Sequence, residues 1–594
     1  MEKKIYSGNE AIARGAFEAG IRFGAAYPGT PSTEVMEEFS KYPGVYAEWS
    51  PNEKVALEVA IGSALAGERT MAAMKHVGVN VAADPLFTVS YTGIEGALVI
   101  VSADDPSLHS SQNEQDNRNY AKFARIPMLE PGDSREAKEY VKLAVEISEK
   151  FDTPVFLRST TRVSHSKSIV NIEEPVEFKD RTGIKTDAAK YVMVPFNARV
   201  RRRVVEERTV RLKEFAETFS ENRVEMNSPE VGIITAGMVY NYVKDVFPQY
   251  SYLKLGMIYP LPEKMIRDFA AKVKKVYVLE EMDPYLEDQI KAMGIKVEGK
   301  SVFPYTGEFD PGVVANSLSG TTDPSCPVDA SRIPPRPPNL CPGCPHRGIF
   351  YVLGKLKAFV AGDIGCYTLS FMKPLEGLHS CICMGASIGM AHGMSKALRD
   401  KGKGKVIGVI GDSTFIHSGI TPLLNMAYNR SDALVVILDN RTTAMTGMQD
   451  HPATGMTLQG EKTKALNFAD LGKVLGMDSV RVVDPFKIKA ARAAVREELE
   501  RKGPSLIISE GPCVLLSKAA GRPFTVDKEK CIGCKTCIGL NCPPISWRKY
   551  AEPIVPKEGN KKIEGYSVID PSLCNGCTLC QQLCPKGAIV EVSK

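Results

Sequence analysis

The 594-residue sequence predicts an α/β protein, with three doubly wound parallel-sheet units in series and a small α+β tail. Three observations carry that expectation. Apolar strand-like runs alternate with helix-like periodicity from the start of the chain to about residue 515. The segment from Cys326 to Pro338 interrupts this with Pro327, Pro334, Pro335, Pro337 and Pro338, and can be neither helix nor interior strand. Finally, eight of the 15 cysteines fall between Cys531 and Cys584.

The elements follow in order. Residues 1–165 form the first unit, with strands over 70–74 and 97–102 and a helix over 53–67. Residues 166–227 read as a connector, where the pattern weakens and the run Arg199-Val200-Arg201-Arg202-Arg203 suits a solvated helix face. A second α/β unit spans 228–300, with buried strands over 231–235 and 275–280. Residues 301–338 are a linker, 339–515 a third α/β unit, and 522–594 the cysteine-rich tail.

Charge is nearly balanced, 75 basic against 70 acidic side chains, which disfavours nucleic acid as a partner. The amino terminus has no apolar signal region, and no stretch of 18 uncharged apolar residues exists to span a membrane. A cytoplasmic, reducing setting is expected. There, clustered thiols point to metal rather than disulfides.

The tail reads Cys531-x2-Cys534-x2-Cys537-x4-Cys542-Pro543 and Cys574-x2-Cys577-x2-Cys580-x3-Cys584-Pro585. Three cysteines at that spacing wrap one corner of a [4Fe-4S] cubane, and the fourth reaches across to the other cluster. Cys531, Cys534, Cys537 and Cys584 then hold one cluster, and Cys542, Cys574, Cys577 and Cys580 the other. Zinc is the alternative, because CxxC pairs also build zinc ribbons. The tail resembles the bacterial two-cluster ferredoxins, departing by one residue before Cys542. Two clusters in series conduct electrons. Residues 522–594 carry 11 Lys+Arg and 7 Asp+Glu, an excess of 11 − 7 = 4 that suits an acidic electron carrier, or simply a mixed surface.

In the third unit, the apolar run 405–410 ends in Gly411-Asp412, and a second run, 433–438, ends in Asp439-Asn440. In a parallel sheet both sets emerge at the carboxyl edge, where such sheets bind ligands. A carboxylate and an amide suit the protein's share of a magnesium shell completed by phosphate. A strand-end Asp is also a common turn residue. The pattern resembles the thiamine diphosphate motif, Gly-Asp-Gly followed by Asn-Asn, with Ser413 and Asp439 as departures. The resemblance implies Asp412, Asn440 and the main-chain carbonyl of Thr442 as magnesium ligands. The turn at Gly385 leads into a helix and suits close approach of the diphosphate.

Glu53 opens an apolar helix and suits the carboxylate that activates thiamine, although Ser50-Pro51-Asn52-Glu53 also reads as a helix cap with proline at the first position. The motifs Tyr27-Pro28-Gly29-Thr30-Pro31-Ser32, Lys75-His76-Val77-Gly78-Val79-Asn80 and Cys341-Pro342-Gly343-Cys344-Pro345-His346-Arg347-Gly348 decide the matter. Through them the chain resembles, nearly end to end, the 2-oxoacid:ferredoxin oxidoreductases. The resemblance implies a pyrimidine-binding first unit, a transketolase C-terminal-like second unit and a diphosphate-binding third. It implies Glu53 as cofactor activator, Thr30 near substrate and cofactor, and His76 lining the site. Arg118 is a candidate for the substrate carboxylate, with a surface salt bridge as the alternative. Gly29 stands where relatives using small oxoacids carry a bulkier residue, making room for an aromatic ring.

The implied activity is oxidative decarboxylation of arylpyruvates such as indolepyruvate and phenylpyruvate, with coenzyme A taking the acyl group and ferredoxin the electrons. A smaller beta subunit in an α2β2 assembly is implied as well. Cys341, Cys344, Cys366 and Cys513 occupy places comparable to the ligands of a third, proximal cluster; the alternative is buried structural thiols. Two rival functions stay open, a non-oxidative thiamine decarboxylase or carboligase and a non-catalytic electron-transfer subunit.

Overall fold

The computed structural model describes residues 2–177, 183, 186–320, 330–399, 404–516, 521–554 and 562–592. Residues 321–329 of the expected linker, Cys326 and Pro327 among them, lie outside the described residues. The chain divides into two compact units, Met1–Asp329 with Leu458–Gly460, and Ala330–Thr457 with Glu461–Lys594.

The first compact unit is built on a seven-stranded sheet ordered Met257–Tyr259, Met128–Leu129, Val155–Thr160, Ala97–Asp104, Arg69–Lys75, Phe23–Ala26, Tyr46–Trp49. All pairings are parallel except that of Met257–Tyr259. Every residue of Ala97–Asp104 is buried, because separate apolar clusters cover the two faces of the sheet. The second α/β region forms its own sheet, ordered Lys275–Leu279, Val231–Ala236, Ser251–Leu255, Arg223–Glu225, yet lends Met257–Tyr259 to the edge of the first.

Residues 166–227 are more than a connector. Lys167–Ile172 pairs antiparallel with Glu2–Ser7, and Pro195–Ala216 is a 22-residue helix. Arg199, Arg202 and Arg203 face solvent. Arg201 instead donates to the carbonyls of Tyr91 at 2.7 Å and Thr92 at 3.2 Å, tying the helix down.

The second compact unit carries a six-stranded parallel sheet ordered Ser380–Cys381, Phe359–Gly362, Val406–Gly411, Leu434–Asp439, Ser505–Glu510, Ser479–Val483. The tail adds two antiparallel pairs, Phe524–Val526 with Ile589–Glu591 and Ile545–Ile554 with Ile563–Ile569. Its Leu540, Ile569, Leu579 and Ile589 share one apolar core with Ile349, Phe350 and Val352 of the α/β part. That shared burial holds the tail against its neighbour. Among the described residues no helix is long and apolar enough to cross a membrane.

Candidate functional site

In the first compact unit, Gly29 and Thr30 follow strand Phe23–Ala26, Glu53 follows Tyr46–Trp49, and His76 follows Arg69–Lys75. These strands are neighbours, so all four residues reach one carboxyl edge. Helix Glu53–Leu65 is capped by Asn52, whose side chain accepts from the Val55 N–H at 2.9 Å. Ser50 bonds Glu48 instead, and Glu53 is the first helical residue, so the expected proline-led cap is absent. The Glu53 side chain is buried against Gly78, where an added Cβ would lie 2.6 Å from Glu53 Cγ.

Two expectations change here. His76 is fully buried rather than lining an open site; its Nε2 lies 3.2 Å from the Asn113 carbonyl. Burial, then the Lys75 charge, pull its imidazole down to about 4 and keep it neutral. The room assigned to Gly29 is filled by Lys75, because a Cβ on Gly29 would sit 3.1 Å from Lys75 Cβ. Lys75 is the residue that sequence reasoning missed at this edge. Its buried Nζ donates to the Ser110 carbonyl at 2.6 Å, and burial lowers it to about 8.

Arg118, the candidate for a substrate carboxylate, is taken up by buried ion pairs instead. It is 2% exposed, with Nε 2.9 Å and 3.0 Å from the two carboxylate oxygens of Asp116 and Nη1 2.7 Å from Glu280. Nη2 meets Asp116 at 2.5 Å and the carbonyls of Glu281 and Asp283 at 3.0 and 3.2 Å. It ties the first α/β region to the second. Adjacent Arg158, equally buried, bridges Asp104 and Glu130.

In the second compact unit, Asp412 and Asn440 follow the adjacent strands Val406–Gly411 and Leu434–Asp439 and are both buried. Asp412 Oδ2 accepts from the N–H groups of Asn440 at 3.1 Å and Arg441 at 2.8 Å, and Oδ1 from Ser413 at 2.7 Å. His451 Nε2 lies 3.4 Å from Oδ2. The Asn440 side-chain oxygen accepts from the Thr442 N–H at 3.1 Å, and the Thr442 carbonyl accepts from Ala444 at 3.0 Å. Burial and the charge of Asp412 push Asp439 up to about 6. A hard cation would relieve that repulsion, so the donor set fits magnesium.

Asp363, at the end of strand Phe359–Gly362, was not singled out from the sequence. Its carboxylate accepts from the N–H groups of Ile364 at 2.9 Å, Gly385 at 2.9 Å and Ser387 at 3.0 Å. Gly385 therefore acts as a clamped bend at φ +88°, and its N–H is not a bare anion donor. The signal was present: Gly362-Asp363 closes an apolar strand just as Gly411-Asp412 does. Gly411 is packed so that an added Cβ would lie 2.9 Å from the Tyr367 ring, whose hydroxyl accepts the Gly411 N–H at 3.0 Å. Burial lowers His346, edge-on to Tyr367, to about 4.

None of the fourteen cysteines among the described residues is joined in a disulfide. In the tail, one cavity is lined by Cys531, Cys534, Cys537 and Cys584, and a second by Cys542, Cys574, Cys577 and Cys580. Each nest takes three thiols from one motif and the fourth from the other. The Ala588 N–H points at Cys584 Sγ at 3.2 Å and the Phe524 N–H at Cys574 Sγ at 3.4 Å, contacts of the kind that tune cluster potentials. Cys341, Cys344, Cys366 and Cys513 also gather. Burial pushes Cys344 up to about 12, with Cys341 and Cys366 adding to it, and Cys366 up to about 11, with Cys513 and Cys341 adding. The Cys513 N–H donates to the Asn440 carbonyl at 2.9 Å. Among the described residues no three His, Cys, Asp or Glu side chains converge tightly enough for a single metal ion.

The family model described as "Pyruvate flavodoxin/ferredoxin oxidoreductase, thiamine diP-bdg" matches residues 14–228. "Thiamine pyrophosphate enzyme, C-terminal TPP binding domain" matches 363–509, and "4Fe-4S dicluster domain" matches 530–588. Fold, site and these matches define a thiamine diphosphate-dependent 2-oxoacid:ferredoxin oxidoreductase with an iron–sulfur tail. Indolepyruvate oxidoreductase subunit IorA of Archaeoglobus fulgidus is 42% identical over 99% of this chain and 97% of its own length. Its counterpart from Methanothermobacter marburgensis is 40% identical over 99% and 97%. A solved 2-oxoglutarate:ferredoxin oxidoreductase from Magnetococcus marinus matches 54% of this chain and 65% of its own, at 19% identity and TM-score 0.45. The chain belongs to the indolepyruvate oxidoreductase subunit IorA family.

Proposed function

We propose that this chain is the large subunit of a cytoplasmic arylpyruvate:ferredoxin oxidoreductase that converts indolepyruvate or phenylpyruvate and coenzyme A to the arylacetyl-CoA, carbon dioxide and reduced ferredoxin. It works with a smaller beta subunit as α2β2. The names of its relatives support the substrate class. One observation carries the redox reading: the 2.9 Å main-chain bond from Cys513 to Asn440 sets one thiol of the four-thiol group beside the strand end that would hold the cation.

Thiamine diphosphate, when bound, supplies the electron sink for decarboxylation. The chain's own residues do the rest. Asp412, Asn440 and the Thr442 carbonyl would hold magnesium, and Asp363 fixes the turn through Gly385. Gly411 and Ser413 shape the strand end, and Glu53 would hold the activating proton on the pyrimidine ring. Thr30 and Gly29 flank the substrate, with Lys75 beneath them. Cys341, Cys344, Cys366 and Cys513 would hold a proximal cluster, and the two tail nests one [4Fe-4S] cluster each.

The test is an anaerobic assay of the purified two-subunit complex with indolepyruvate, phenylpyruvate, pyruvate and 2-oxoglutarate, with and without coenzyme A. Coenzyme A-dependent ferredoxin reduction, fastest with the arylpyruvates, is expected. Carbon dioxide release without ferredoxin reduction would instead establish a non-oxidative decarboxylase.

A further inference from the structure

Arg347 is fully buried, one residue into the helix His346–Leu353 that follows the Cys341–Cys344 turn. Its five N–H donors meet only neutral acceptors. These are the carbonyls of Cys341 at 3.0 Å, Leu540 at 2.9 Å, Asn541 and Leu340, and the Asn339 side chain at 3.5 Å. The acidic groups that act on it most strongly are four thiols, Cys542, Cys344, Cys341 and Cys577. A buried cation without a counter-charge is costly, and nothing in this neutral shell supplies one.

The two tail nests differ in this respect. Arg347, Pro342 and Gly343 line the cavity of Cys542, Cys574, Cys577 and Cys580 together with tail residues. Gly343 lies so close to the Asn575 side chain that an added Cβ would collide with it. The cavity of Cys531, Cys534, Cys537 and Cys584 is lined by residues 526–589 alone. Its cations are Lys530, Lys535 and Lys586. Lys530 is exposed and paired with Asp527 at 2.9 Å, so solvent and its partner screen it. Arg347 has neither.

We propose that Arg347 is the built-in counter-charge of the iron–sulfur centre held by Cys542, Cys574, Cys577 and Cys580, raising its potential above that of the outer tail centre so that electrons enter the tail there. The inference rests on reading that nest as a cluster site. Reduction adds one electron to the cluster, from 2+ to 1+; no bond is made or broken, and the guanidinium keeps its proton throughout. The electron comes from the 2-oxoacid in turnover and from dithionite in the experiment. The added negative charge is stabilised by an unscreened cation in a low-dielectric interior.

The test is a dithionite titration of the intact complex followed by electron paramagnetic resonance, comparing wild type, Arg347→Lys and Arg347→Gln, with iron counted in each. In Arg347→Gln the midpoint of one tail cluster should fall by at least the equivalent of a tenfold change in equilibrium constant, about 59 mV for one electron. The other tail cluster should not move, and Arg347→Lys should stay near wild type. An unchanged midpoint in Arg347→Gln at full iron content overturns the proposal, as does equal loss of iron in both variants, which would make Arg347 a structural tie. Failure of the underlying reading looks different. Wild type would then give only one tail-cluster signal on full reduction, with iron at least about four atoms per chain short of the roughly twelve that three clusters hold.

Discussion

Replacing Arg118 by leucine removes the cation from between Asp116 and Glu280 and leaves the two carboxylates unequal. Glu280 keeps the N–H groups of Leu286 and Glu287 at 2.9–3.0 Å, whereas Asp116 keeps the single main-chain N–H of residue 118 at 3.1 Å and the distant Nη2 of Arg158 at 4.0 Å. Breaking a buried pair costs about 3–5 kcal/mol, and with one stranded carboxylate the lower end applies. That is a loss of roughly two orders of magnitude in the folding constant. In wild type Arg118 holds Asp116 below its ordinary 3.8. Its contribution is therefore present above the unfolded value and lost as pH falls through the folded one. The gap between wild type and variant should be widest at pH 7–8 and narrow below about pH 4. Trp49 and Trp547 are the only tryptophans, so in a Trp547→Phe background urea denaturation followed by fluorescence reports on Trp49, in the unit that contains Arg118. An unchanged midpoint together with a tenfold rise in KM for the oxoacid would refute the reasoning and return Arg118 to the substrate carboxylate.

Asp363→Asn removes the charge that clamps three N–H groups; at about 1.5–3 kcal/mol for charged hydrogen bonds, thiamine diphosphate affinity should drop roughly ten- to hundredfold by calorimetry with magnesium present. Gly29→Ile should lower turnover of pyruvate and arylpyruvates alike, since it displaces Lys75 rather than filling a ring-sized space; selective loss of arylpyruvate turnover would restore the pocket argument. Lys75 has an ordinary value of 10.5 and about 8 in the folded chain. Between those limits the unfolded chain binds the extra proton, so wild-type stability rises with pH across that window, and Lys75→Met should flatten the rise in melting temperature.

Strand ends were legible because parallel strands buried on both faces are written as unbroken apolar runs, and each run here stops at its polar pair, Gly411-Asp412 or Asp439-Asn440. The tail thiols were legible because each cluster corner is wrapped by one short segment, so spacing alone carries the chemistry. Arg118 was misread because its partner Glu280 is 162 residues away and no local pattern announces it. Gly29 was misread because the stem that fills its missing side chain arrives from the next strand in the sheet, Arg69–Lys75.

The sequence by itself determined what is local: the α/β alternation, the crossed cysteine motifs, and the strand-end carboxylates with their glycines. Only the tertiary structure decided which buried charges are spent on the fold, that Asp363 takes up the Gly385 N–H at the turn expected to let the diphosphate approach, and that Arg347 stands beside one tail nest and not the other. The physical reason is that a charge's role depends on what surrounds it after burial, and those neighbours are assembled from distant parts of the chain.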